Sequence, residues 1–134
     1  MPAGEVLLGF DYGTRRIGVA VGDSITRRAR PLTTVKAAEG KPDWRAIQAL
    51  LDEWRPDALV VGLPYNMDDS ESEIAPLARR FARQLEGRFG LPVHLVDERL
   101  TTHEAEAHLG AEASRRRELD PLAAALILET WFGG

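Results

Sequence analysis

The sequence contains no cysteine among its 134 residues. Without thiols, the chain can form neither a disulfide nor a thiolate metal site. No apolar run approaches the roughly 20 residues that a membrane-spanning helix requires, so we expect no membrane association. The first residues, Met1 to Glu5, lack the charged segment and the long apolar core of a secretory signal, so we expect a cytoplasmic location.

An excess of positive charge is also missing, because the formal net charge is −4. Overall charge therefore does not indicate a nucleic-acid-binding protein, but the arginines are grouped along the chain. The groups are Arg15–Arg16, Arg27–Arg28 with Arg30, Arg79–Arg80 with Arg83, and Arg115 to Arg117. Such runs are usually solvated faces, although local arginines of a net-negative enzyme can also contact phosphates.

The length and the apolar pattern predict one domain over residues 1–134. The predicted strands are Val6 to Asp11, Ile17 to Asp23, Ala29 to Ala37, Ala58 to Gly62 and Val93 to Asp97. The predicted helices run from Asp43 to about Trp54, from the loop at Ser70 to about Phe89, from Thr101 or Thr102, and from about Asp120 to Phe132. Three antiparallel strands followed by two helical crossovers predict an α/β protein with a mixed five-stranded sheet and helices on both faces.

Three carboxylates fall at the ends of these predicted elements. Asp11 ends the first strand, Glu98 follows the last strand, and Asp120 opens the final helix. We expect them to meet, because ligands of such sheets bind beyond the carboxyl ends of the strands. Oxygen donors without cysteine suit Mg²⁺ or Mn²⁺. Two such ions about 3.5–4 Å apart would activate water and stabilise the leaving oxygen in phosphodiester hydrolysis.

Each carboxylate also has a purely structural interpretation. Asp120 precedes a proline, which is typical of a helix N-cap. Glu98 could pair with the arginine that follows it or cap the next helix, and Asp11 could start a turn. Asp97 competes with Glu98 for the site, but alternation along a strand points the two side chains to opposite faces.

Four blocks of this sequence resemble the bacterial YqgF family. The blocks are Gly9 to Ala20, Val61 to Asp68, Val96 to Thr102 and Asp120 to Leu128. They occur in the family's order and span nearly the whole chain. Members of this family are small ribonuclease-H-like proteins, provisionally described as pre-16S rRNA nucleases and, earlier, as Holliday junction resolvases.

The resemblance implies a ribonuclease-H-like fold with the sheet order 3-2-1-4-5 and metal-dependent cleavage of phosphodiester bonds. It makes Asp11, Glu98 and Asp120 the catalytic and metal-holding residues, with Mg²⁺ or Mn²⁺ as the cofactor. The implied role is 5′-end maturation of pre-16S rRNA, with the ribosomal small-subunit precursor as a partner. The expected substrate-binding residues are Arg15, Arg16, Asn66, Arg99, Arg115, Arg116 and Arg117.

Three other functions stay open at this point. The same site could resolve four-way DNA junctions, which would normally require a symmetric dimer that presents two sites. The segment Asp11 to Thr14 also matches the phosphate loop of actin-like nucleotide-binding proteins, although those close two such domains around ATP and this chain supplies one. The third alternative is a non-catalytic scaffold that has kept the fold.

Overall fold

The computed structural model describes residues 4–63, 74–97 and 116–133, with the backbone alone for residues 116–120. Its strands are β1 (Val6–Asp11), β2 (Arg16–Asp23), β3 (Arg28–Ala38), β4 (Lys41–Pro42), β5 (Ala58–Leu63) and β6 (Val93–Asp97). Its helices are α1 (Trp44–Trp54), α2 (Ala75–Phe89) and α3 (Arg116–Gly133). None of the helices within these ranges has the length and apolar content needed to span a membrane.

The strands form one mixed sheet in the order β4-β3-β2-β1-β5-β6. β1, β2 and β3 pair antiparallel, whereas β5 runs parallel to β1 and β6 runs parallel to β5. The predicted order 3-2-1-4-5 is confirmed for the five long strands. The predicted strand count was one short, because Glu39 and Gly40 both adopt positive φ angles (52° and 80°). Such angles form a tight hairpin turn, which returns Lys41–Pro42 to pair with β3.

Helices cover both faces of the sheet, as predicted. Along β1, Leu8 and Phe10 belong to the core beneath α1 and α2, whereas Leu7 belongs to the core beneath α3. This alternation follows from the two-residue repeat of a strand. β5 is buried at every position, which explains its unbroken apolar run.

Helices α1 and α2 end at the residues that the sequence predicts. Local hydrogen bonds fix the start of α1 and the end of α2. The Asp43 side chain accepts a hydrogen bond from the Ala46 N–H at 3.3 Å and so caps the start of α1. Gly90 ends α2 with a φ of 67°, and its N–H donates to the Glu86 carbonyl at 2.9 Å. The left-handed conformation at that position favours glycine because glycine has no Cβ.

Helix α3 begins about one turn earlier than predicted. It starts at Arg116, so Pro121 lies inside the helix and the prediction of Asp120 as its N-cap was wrong. Pro121 is the sixth residue of α3, so it removes the hydrogen bond that a backbone N–H would donate there to the Arg117 carbonyl. Arg116 and Arg117 therefore lie in the first turn of a helix, although the predicted helix starts only at about Asp120.

Helix α3 lies directly on the backbone of the sheet at two glycines. A Cβ built on Gly9 would be 2.6 Å from Leu128 Cγ and 3.0 Å from the Ala124 carbonyl oxygen. A Cβ on Gly22 of β2 would be 2.8 Å from the Phe132 ring. The absence of side chains at these positions allows the close approach of the helix.

We expect Gly9→Ala to lower the free energy of unfolding by about 1–3 kcal/mol, because the added methyl group overpacks the contact with α3. Gly87→Ala is the matched control, since nothing lies within 4 Å of a Cβ added there in α2. That change should stabilise the protein by about 0.5–1 kcal/mol, because alanine favours helix. Urea unfolding measures both, and an unchanged stability of Gly9→Ala would contradict the close approach.

Candidate functional site

Three parallel strands end side by side at one edge of the sheet. The register pairs Phe10 of β1 with Val61 of β5, and Leu63 of β5 with Asp97 of β6. The last residues of these strands, Asp11, Leu63 and Asp97, therefore lie at one edge, which we call the carboxyl edge. Ligands of open sheets with parallel crossovers bind at this position.

Asp11 belongs to the face of the sheet that α3 covers. Phe10 points to the core beneath α1 and α2, so its neighbours Gly9 and Asp11 point to the other face. The Asp11 side chain is half-buried. An ionised carboxylate in such a position is costly unless hydrogen-bond donors or a cation stabilise its charge.

The direction of α3 brings the backbone of Asp120 to the level of Asp11. The last turn of α3 contacts the end of β2, which pairs with the start of β1. Ala124, further back along the helix, contacts Gly9 in the middle of β1. The four residues from Ala124 back to Asp120 span about 6 Å of helix. Two residues from Gly9 to Asp11 are about 7 Å in the same direction.

The structure separates Asp97 from the face that carries Asp11. Val96 packs in the core beneath α3, so Asp97, the next residue of β6, lies on the opposite face. Glu98, which the sequence favours over Asp97, lies outside the described residues and stays a prediction. Within the described ranges, no three carboxylate or histidine side chains are grouped closely enough to hold a metal. Of the three predicted ligands, only Asp11 has a described side chain.

The predicted arginines at the β1–β2 turn follow Asp11 within a few residues. Arg15 is exposed, and Arg16 is half-buried at the start of β2. Arg116 and Arg117 begin α3, and their side chains are not among those described. Asn66, Arg99 and Arg115 lie outside the described residues, so their expected contacts with substrate stay predictions.

Tyr12 is a site residue that sequence reasoning missed. It follows Asp11 directly, it is 6% exposed, and its ring packs against Phe81 with the centroids 5.2 Å apart. Its hydroxyl donates a hydrogen bond to the Gly40 carbonyl at 3.0 Å. An aromatic residue next to a strand-end carboxylate was the available signal, but its partners are distant in the sequence. Tyr12 thus anchors the backbone that carries Asp11.

Backbone contacts fix the rest of this turn. A Cβ on Gly13 would be 2.5 Å from the Arg16 carbonyl oxygen, so the turn closes tightly only with glycine. Gly40 and Ala37 donate their N–H groups to carbonyl oxygens of the turn at 3.0 and 2.9 Å. The β1–β2 turn is therefore held by the β3–β4 hairpin as well as by its own strands.

The sheet order and its flanking helices are similar to those of solved Holliday junction resolvases. The chain is similar to the structure of Thermus thermophilus RuvC in complex with a Holliday junction substrate, with a TM-score of 0.54, 20% identity and 92% of each chain covered. It is also similar to fowlpox virus resolvase in complex with Holliday junction DNA, with a TM-score of 0.55, 12% identity and 96% and 97% of the two chains covered. The fold is ribonuclease-H-like.

Sequence comparison identifies the family. The model of the RuvX family, described as Holliday junction resolvase, matches residues 5–134. A protein of Azotobacter vinelandii is 58% identical over 136 residues, covering 98% of this chain and 96% of the relative. One of Pseudomonas aeruginosa (strain LESB58) is 55% identical over 132 residues, covering 96% and 92%. Both are provisionally named pre-16S rRNA nuclease. The chain belongs to the RuvX family, also called YqgF, which confirms the resemblance.

The buried phenol of Tyr12 makes the stability of the folded protein depend on pH in the alkaline range. Burial raises the pKa of Tyr12, and the positive charge of Arg80 opposes part of this rise. Above about pH 10 the phenol ionises in the unfolded chain before it does so in the folded protein, so stability falls as pH rises. We expect this part of the decline to be missing from Tyr12→Phe.

Urea unfolding of both proteins from neutral to strongly alkaline pH measures the effect. At neutral pH, Tyr12→Phe should lose about 1 kcal/mol through the missing hydrogen bond. The other titrating groups are common to both proteins, so the difference between the two curves isolates Tyr12. Parallel curves would show that the phenol does not ionise differently on folding.

Proposed function

We propose that this protein is a nuclease that hydrolyses phosphodiester bonds of nucleic acid at its carboxyl edge. The observation that carries the proposal is the position of Asp11. This carboxylate ends a strand whose four central residues are buried, faces α3, and lies level with the backbone of Asp120. Keeping a carboxylate half-buried costs free energy, which supports a chemical role for the Asp11 charge.

The proposed donors suit a divalent cation. Carboxylate oxygens are the preferred ligands of Mg²⁺ and Mn²⁺, and Asp11 presents them at the edge where loops from three strands begin. We assign Asp11, Glu98 and Asp120 to hold the metal. When bound, the ion supplies positive charge that favours ionisation of the attacking water and stabilises the leaving oxygen.

The residues around Asp11 that the structure describes would hold both the substrate and the Asp11 carboxylate in place. Tyr12 and the β3–β4 hairpin fix the backbone on either side of the turn, so Asp11 is presented from a rigid element. Arg15 is exposed a few residues away and can donate to phosphate oxygens in the planar geometry of a guanidinium. Because the net charge is −4, such local arginines must supply the attraction to phosphate.

The names of the relatives favour RNA as the substrate. We therefore assign the cleavage to 5′-end maturation of pre-16S rRNA on the small-subunit precursor in the cytoplasm. Four-way DNA is the second candidate, because the matching family model is described as Holliday junction resolvase. Both substrates present the same phosphodiester chemistry, so substrate choice depends on residues outside the metal site.

We expect Asp11→Asn to lower metal-dependent cleavage by at least about 100-fold, since it removes a charge that the transition state requires. Asp52→Asn is the matched control. It makes the same chemical change on the exposed face of α1, where the side chain accepts a hydrogen bond from Gln48 Nε2 at 2.9 Å. This control should cleave like the wild type.

The assay offers a labelled 5′ end of pre-16S rRNA and a four-way DNA junction, each with Mg²⁺, Mn²⁺ or EDTA. Cleavage of the RNA alone supports the rRNA assignment, whereas cleavage of the junction alone moves the role to recombination. Full activity of Asp11→Asn contradicts the proposed site, and full activity in EDTA contradicts the metal dependence.

Metal binding can be measured without activity. We expect Mn²⁺ to raise the Tm of the wild type, because a ligand at 100 times its Kd stabilises the folded state by about 2.7 kcal/mol. Asp11→Asn should show little of this rise, and excess EDTA should reverse it. An equal rise in both proteins would place the ion away from Asp11.

A further inference from the structure

A pocket of about 470 Å³ lies at the edge of the sheet opposite the carboxyl edge. Its apolar wall consists of Val6 at the start of β1, Val21 near the end of β2, and Trp54 at the end of α1. The volume falls in the range of small-molecule pockets, about 300–1,000 Å³. Nothing in the proposed cleavage reaction uses this pocket.

Two exposed arginines of β3 form the rim of the pocket. Arg28 and Arg30 both line it, and the Arg30 guanidinium lies 5.2 Å from the centre of the Trp54 ring. Neither forms an ion pair with any residue in the described part of the chain. The acidic residue of the lining, Asp23, accepts hydrogen bonds from the backbone N–H groups of Ile25 and Thr26 at 2.7 and 3.2 Å.

An apolar wall that contains a tryptophan, together with arginines at the rim, suits a ligand that has both a flat ring and an anionic group. Bases of single-stranded nucleic acid stack on aromatic rings and on arginine guanidinium planes, both of which Trp54 and Arg30 provide. The Arg28 guanidinium has no carboxylate partner within residues 4–63, 74–97 and 116–133, and such a guanidinium is available to a phosphate. We propose that the pocket binds one unstacked nucleotide of a nucleic-acid strand, with its base on the Trp54–Arg30 stack and its phosphate against Arg28.

The position of the pocket specifies which part of the substrate it takes, an argument that rests on the proposed function. Val6 and Asp11 are five strand residues apart, so the pocket lies about 17 Å from the cleavage site. The pocket opens on the face that α1 covers, whereas Asp11 lies on the α3 face. The bound nucleotide is therefore a flanking one, separated from the scissile phosphodiester by about 17 Å of strand or more.

The first test uses the three tryptophans of the chain. The isotope-labelled protein is titrated with single-stranded oligouridylate in EDTA, which prevents metal-dependent cleavage, and the indole N–H signals are followed by NMR. Trp54→Phe assigns the Trp54 signal. We expect that signal to shift with the oligonucleotide while those of Trp44 and Trp131 stay in place. An unmoved Trp54 signal overturns the proposal.

The second test removes one rim charge. Arg28→Ala should weaken oligonucleotide binding about tenfold. It should also lower the slope of log affinity against log salt by about 0.7. Arg45→Ala, an exposed arginine on α1 away from the pocket, should change the affinity less than about twofold. Arg28 is chosen over Arg30 because Arg30 also packs on Trp54, and a thermal melt confirms that each variant is folded. Equal weakening by the two variants overturns the proposal.

Two further arms separate the remaining outcomes. Uridine monophosphate that shifts Trp54 with the affinity of the oligonucleotide would assign the pocket to a free nucleotide and overturn the assignment to a strand. If the wild-type protein cleaves RNA but the Trp54 signal does not shift, the proposal for the pocket is rejected and the proposed nuclease function stands. A responsive Trp54 without cleavage in any metal rejects the proposed nuclease function and leaves the pocket in place.

Discussion

The contact on which the rest of the structure depends is that of α3 with the bare backbone of the sheet. Gly9 and Gly22 let the helix approach until its side chains touch the strands, and the Cβ of any other residue would collide with Leu128 or Phe132. This contact fixes how far α3 lies along the direction of β1. The level of Asp120 relative to the end of β1 is therefore set by packing in the middle of the sheet, away from the site itself.

Polar contacts with β3 and with the turn that precedes β3 hold the C-terminal end of α3. The Arg27 guanidinium donates to the Phe132 carbonyl, which satisfies a backbone acceptor that a helix end leaves open. The Glu129 carboxylate accepts a hydrogen bond from the Ala29 N–H at 3.2 Å. These contacts lie at the edge away from the carboxyl edge, so one end of the helix is anchored while the other reaches the site.

Elements that follow from a periodic apolar pattern can be predicted from the sequence. Features that depend on backbone angles or on contacts between distant residues cannot. The apolar pattern sufficed for the five long strands and for α1 and α2, but β4 depends on two positive φ angles at Glu39 and Gly40. The Asp-Pro pair predicted a helix start, yet α3 extends a turn further back. Asp11 could be singled out because a charge in a buried strand is anomalous, whereas Tyr12 acts through partners far along the chain.

Electrostatic repulsion at the carboxyl edge would oppose substrate binding there, and the proposed pocket at the opposite edge would avoid it. The carboxylates of the proposed metal site would repel a phosphate backbone as long as the cation is absent, and the net charge of −4 would add to this repulsion. A nucleotide held by the proposed pocket would lie about 17 Å away, beyond most of the screened repulsion at physiological salt. The chain could then hold its substrate without metal, and the cation would be needed for bond cleavage alone.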